Sequence, residues 1–266
     1  MLYGRVAQTN SMKTLINRKN RKSGFTLIEL MVVIAILATL GAIGYAPIMN
    51  HMNDGDRQQA KTNLSSIGKM LLQFQLDNNT YPCDATAEML QEKNPDMDFG
   101  ELKGNNSNAY FRQLFFKEGN ETEKPFFAKV KAGALLVQRE GDEQISKGRA
   151  LQGKENAMSY VMRRSREDEL VKEGVEGTNV PLAMCSVYPS NKPYTGDKLL
   201  FDRKSFRGHV FVLSTDGSVN DLDENRVTAT DEDDTVGVLK PGDNLFPETK
   251  KGRATSQNYL ILTPEI

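Results

Sequence analysis

The sequence predicts an α+β fold: one long N-terminal helix packed on a small antiparallel β-sheet head. Three observations predict it. An apolar run over 25–49 carries a single charged residue, Glu29. Residues beyond it keep the spacing of one helix face, with Leu64, Ile67, Leu71 and Phe74 in a stripe. Short β-rich runs then fill the C-terminal part, and Asp216-Gly217 between two of them is a strong tight-hairpin signal.

The elements follow in order. Residues 1–24 contain Arg5, Lys13, Arg18, Lys19, Arg21 and Lys22 and no acid. A basic flank of this kind stays cytoplasmic, which places the chain after Met49 outside the cytoplasm. A secretory signal peptide is cut after its apolar region; here Gly24 lies before that region, so a cut at Gly24 retains the apolar segment. A start at Met12 leaves a compact leader, 12–24.

The apolar run over 30–49 is long enough to span a bilayer core, which needs about 20 residues. Gly41, Gly44 and Pro47 cluster near its outer end. Proline removes a backbone donor and clashes with the preceding turn, so a kink or local melting is expected at Pro47. Helical spacing continues past it, with Asp56, Arg57, Lys61 and Lys69 on the other faces. The reading is one helix over 25–77, roughly 80 Å long at about 1.5 Å per residue. Asn78-Asn79 and then Pro82 end it. The organisation is therefore a leader (1–24), an apolar half-helix (25–49), an amphipathic half-helix (50–78) and a head (79–266).

Residues 84–190 read largely as loop or insertion, with short helices or strands possible at 109–116 and 126–137 and one short strand around Ala157-Met158-Ser159-Tyr160-Val161-Met162. The C-terminal part reads as strands at 199–201, 209–214, 218–222, 236–239 and 259–262. The absence of tryptophan and a 38% hydrophobic fraction suggest a small core with much loop.

The formal charge of −1 hides an asymmetry: the leader contributes +6, leaving −7 for 25–266. An acidic exported part argues against a nucleic-acid surface. Both cysteines, Cys83 and Cys185, fall in that part. An oxidising compartment favours pairing them, and closing a loop of roughly 100 residues suggests about 4 to 5 kcal/mol of chain entropy. Two buried free thiols are the competing reading.

Lys22-Ser23-Gly24-Phe25-Thr26-Leu27-Ile28-Glu29-Leu30 resembles the processing signal of type IV prepilins and type II secretion pseudopilins. The resemblance sharpens in Asp56-Arg57-Gln58-Gln59-Ala60 and in Leu76-Asp77-Asn78-Asn79-Thr80-Tyr81-Pro82, which look like the major pseudopilin of type II secretion. It covers about 22–90; the head is longer than usual, and the family's calcium loop is not recognisable in it. The resemblance implies a pilin-like fold, cleavage between Gly24 and Phe25 by a membrane prepilin peptidase, N-methylation of Phe25, and retention of Glu29 for assembly. It also implies copies of the chain, other pseudopilins and an inner-membrane assembly platform as partners. An ionised carboxylate in a lipid-spanning segment costs at least ~2.5 kcal/mol on insertion scales, so such residues mark functional contacts. Glu29 of one subunit can pair with the Phe25 amine of its neighbour and set the axial register.

Catalytic and metal chemistry find little support. Gly148-Arg149-Ala150-Leu151-Gln152-Gly153-Lys154 has P-loop spacing, but Glu155 stands where a magnesium-binding hydroxyl is needed. Ser66-Ile67-Gly68-Lys69 has serine–lysine spacing on the amphipathic helix without its partner motif. His51 and His209 have no spaced cysteine or carboxylate cluster for zinc. Calcium is the only cofactor to test: Asp221, Asp223, Asn225 and Glu232 take positions one, three, five and twelve of an EF-hand-like loop. Arg226 replaces its glycine, so a solvated acidic loop is favoured.

The expectation is a non-enzymatic, single-pass inner-membrane pseudopilin with a periplasmic head. A type IV pilin or minor pilin in a surface filament is the alternative. A membrane-anchored periplasmic enzyme or binding protein is less favoured, because no convergent polar site is visible.

Overall fold

The computed structural model describes residues 25–120, 122–129, 147–151, 156–165, 170–246 and 255–264; the side chains of 42–51, 147 and 255–256 lie outside that description. The chain divides into two compact units, Met1–Ile48 and Met49–Ile266. Helix α1, Leu27–Asn78, is the long predicted helix, its ends within two residues of the sequence reading. It stays helical through Gly41, Gly44 and Pro47. Asn79 follows with a left-handed φ of 59°, a conformation asparagine tolerates at a helix end.

The second unit is an α+β head, as predicted, but it is richer than the sequence reading. Two further helices precede the strands: α2, Asp84–Lys93, and α3, Ser107–Arg112. Ten strands follow among the described residues: β1 (Ser159–Arg164), β2 (Lys172–Glu173), β3 (Pro181–Cys185), β4 (Tyr194–Thr195), β5 (Phe201–Asp202), β6 (Val210–Ser214), β7 (Val219–Leu222), β8 (Val227–Ala229), β9 (Val236–Leu239) and β10 (Tyr259–Leu262). They form an antiparallel sheet in the order β4-β10-β1-β3-β6-β7, with β2 also on β1, and a smaller sheet β5-β9-β8. The region 84–190, read as mostly loop, therefore supplies α2, α3 and the central strand β3. The predicted β6–β7 hairpin is present, with Val212 opposite Asn220. Gly217 takes φ 82° in its turn, where a side chain would be strained.

The amphipathic half of α1 buries the predicted stripe. Ala60, Leu64, Ile67 and Leu71 are fully buried and Phe74 nearly so. At about 1.5 to 3 kcal/mol per large apolar side chain, this stripe supplies roughly 6 to 12 kcal/mol of docking. Contact with the sheet is close at Gly68, where a Cβ would stand 2.9 Å from Leu213 Cδ1 on β6. The core is larger than the composition suggested, because phenylalanine and tyrosine fill the place of tryptophan. Phe111 of α3 packs on Phe126 (5.0 Å between ring centroids) and on Tyr160 of β1 (5.1 Å). Buried polar side chains tie α3 to its surroundings: Ser107 Oγ donates to Met158 O, and Arg112 Nε to Ala150 O.

The cysteines correct the favoured expectation: Cys83 and Cys185 are both buried free thiols. Each is anchored by different partners. Cys83 stands at the start of α2, its N–H donating to Thr86 Oγ1 and its carbonyl accepting from Gln113 Nε2. Cys185 ends β3 across from Phe211, where burial, with Asp202 adding to it, pushes its thiol well above the ordinary range.

Candidate functional site

Helix α1 opens with a reciprocal cap. Thr26 precedes the first helical residue, Leu27, and Glu29 is the third residue of the helix. The N–H and Oγ1 of Thr26 both donate to Glu29 Oε2 at 2.8 Å, and Glu29 N–H donates to Thr26 Oγ1 at 3.3 Å. This capping box satisfies helix donors that otherwise lack partners, and it holds the carboxylate at the positive end of the helix dipole. The sequence reading singled out Glu29 and missed Thr26, although the Thr26-Leu27-Ile28-Glu29 spacing is itself a capping-box signature.

Around this cap the surface is apolar. Phe25 is 82% exposed, and every side chain from 25 to 41 is exposed, Leu30, Val33, Ile34 and Leu37 on successive turns among them. A helix apolar on all faces needs a nonaqueous environment or partner helices. Among the described residues no helix is long and apolar enough to cross a membrane; the apolar run with described side chains ends at Gly41, short of the roughly 20 residues a bilayer core requires. Gly24 and the rest of the leader lie outside the described residues, as does the side chain of Pro47.

In the head, the calcium candidates do not converge. Asp221 of β7 is already engaged: its Oδ2 meets Lys61 Nζ of α1 at 2.8 Å and its Oδ1 meets His209 Nδ1 at 2.7 Å. Burial opposes its ionised form, but Lys61 and His209 outweigh burial and hold the carboxyl below the usual range. Asp223 accepts from the N–H and Nδ2 of Asn225. Glu232 is exposed beyond β8, whose pairing with β9 splits the imagined loop. Among the described residues no group of three or more His, Cys, Asp or Glu is placed to hold a metal ion. The Lys61–Asp221–His209 cluster joins residues up to 160 positions apart, and no sequence signal marked it.

The geometry thus draws attention to the first turns of α1, and that is where known proteins match. Residues 19–45 match the family described as Prokaryotic N-terminal methylation motif. The N-terminal segment carries that motif. The motif's segment is also similar to Type II secretion system core protein G from several bacteria. The protein of Aeromonas hydrophila is 40% identical over 65 residues, covering 24% of this chain and 46% of the relative. That of Pectobacterium carotovorum subsp. carotovorum is 42% identical over 62 residues, covering 23% and 40%. The protein of Escherichia coli strain K12 is 33% identical over 63 residues, covering 24% and 43%. The chain spans less than half the length of these curated relatives. No solved structure matches it. The methylation motif encloses Phe25, Thr26 and Glu29, so the capped helix start and the family match coincide.

Proposed function

We propose that the chain is a pseudopilin, a structural subunit of a type II secretion pseudopilus, and that it has no enzymatic role. In this reading a prepilin peptidase cuts between Gly24 and Phe25 and methylates the new amine. The helix start then lies in the inner membrane with the head in the periplasm. Subunits leave the membrane by packing their apolar half-helices together on an assembly platform. Glu29 pairs with the Phe25 amine of a neighbouring copy, which neutralises both charges in a nonpolar setting and fixes the axial step.

The observation that carries the reading is a helix apolar on every described face from Phe25 to Gly41, interrupted by one carboxylate three residues into the helix, within the methylation motif. Such a surface has no use on a free soluble head, and its single charge calls for a partner of opposite sign. A type IV pilin or minor pilin in a surface filament uses the same N-terminal chemistry. The similarity to secretion core proteins favours the pseudopilus. Intact mass and N-terminal sequencing of the membrane-extracted native protein test the proposal. A chain that begins at methylated Phe25 is the expected result; one that still carries Lys22-Ser23-Gly24 overturns it.

A further inference from the structure

We infer that the first two turns of the head's helix, residues 53–59, form a charge-locked segment that high salt releases while the rest of the helix stays docked. Local sequence weakens the helix here. Asn53-Asp54-Gly55-Asp56 is a run of poor helix formers, and a Cβ at Gly55 would meet nothing within 4 Å. No residue from 53 to 59 is buried; among the described residues the first buried side chain of α1 is Ala60. The apolar stripe that docks the helix therefore begins only after this segment.

Among the described residues, an ion pair and a hydrogen bond from a charged donor link the segment to the head. Asp56 Oδ1 meets Lys129 Nζ at 2.8 Å. Arg57 Nε donates to Phe206 O at 2.9 Å, in a turn where Phe206 and Arg207 both take left-handed φ values of 48° and 56°. One turn on, Lys61 reaches Asp221 and also lies over the Phe211 ring, 5.2 Å from its centroid. Lys129 is 66% exposed, so salt reaches that pair readily. Screening acts on these contacts and leaves apolar burial intact or strengthens it. The two parts of the helix therefore respond to salt differently: 53–59 is released, while 64–74 is held.

The full chain in detergent, studied by hydrogen exchange at constant pH, tests this directly. Raising NaCl from about 0.01 M to about 1 M shrinks the Debye length from about 30 Å to about 3 Å. Amides of 53–60 are expected to exchange about two- to fivefold faster for each clasp lost, with 64–74 unchanged. Lys129→Met and Lys61→Met should each produce part of that acceleration at low salt and blunt the remaining salt response. Equal protection of 53–60 and 64–74 at both salt concentrations overturns the inference, because apolar packing then suffices. So does an unprotected 53–60 at low salt, because the clasps then hold nothing.

Discussion

The two halves of α1 are one helix with two different surfaces. From Phe25 to Gly41 every described side chain is exposed and nearly all are apolar. From Met52 to Asn78 one apolar stripe is buried, and the exposed face carries Gln58, Gln59, Thr62, Lys69 and Gln73 with Met52, Leu72 and Leu76 among them. The difference teaches that helix geometry is common to both halves, while the environment each is written for is not. The second half has its partner inside its own chain, on the sheet. In the first half every described side chain from 25 to 41 is exposed, and among the described residues its lone carboxylate accepts hydrogen bonds from Thr26.

Breaking each half separately sharpens that contrast. The largest effect is expected from Glu29→Gln, which removes the charge but keeps much of the shape. Cross-linked higher-order species should disappear from membranes, while the thermal melt of the head stays at the wild-type value. A parallel loss of head stability would mean that Glu29 acts through folding, and the comparison would fail. Leu64→Ala attacks the second half instead. Removing a fully buried leucine should cost about 2 to 5 kcal/mol in denaturant unfolding, with N-terminal processing at Phe25 unaltered.

The smallest effect is acid-linked. The Asp221 carboxyl lies below its ordinary value in the folded protein, so it contributes stability above its unfolded pKa of about 3.9. That contribution is lost as pH falls through the lower folded value. For a partly exposed pair about 1 kcal/mol is expected. Wild type should therefore lose more stability than Asp221→Asn between about pH 5 and pH 3. Parallel pH–stability curves for the two proteins would show that the cluster adds nothing to docking.

Much of this was legible before any coordinates. Periodicity found α1 and its buried stripe because an amphipathic pattern over many turns has few rival readings. Asp216-Gly217 marked the β6–β7 hairpin through turn chemistry alone. Strand β3 escaped notice because all five of its residues are buried, which erases the alternation that identifies a strand, and it begins with proline. Helix α3 has six residues, too few for a period to tell helix from strand over 109–116, where the sequence left both open. The two-residue strands β2, β4 and β5 exist only as partners of other strands. At the candidate site, Glu29 stands out as a charge in an apolar run; the acidic stretch from Asp221 to Glu232, favoured as a solvated loop, is divided by β8, a strand absent from the sequence reading. Cys83 and Cys185 are free thiols although an oxidising compartment favours pairing.

By itself the sequence determined the long helix, the change of its surface near the middle, the methylation motif at its start and the antiparallel character of the C-terminal head. These follow from local spacing and from the cost of leaving apolar surface or a charge in the wrong solvent. Only the tertiary structure decided which side chains from distant positions meet. It joined Asp221 to Lys61 and His209, set Gly68 against Leu213, and left Cys83 and Cys185 as free thiols. Those outcomes depend on how strands order themselves in the sheet and on how closely helix and sheet pack, and neither is written in the spacing of neighbouring residues.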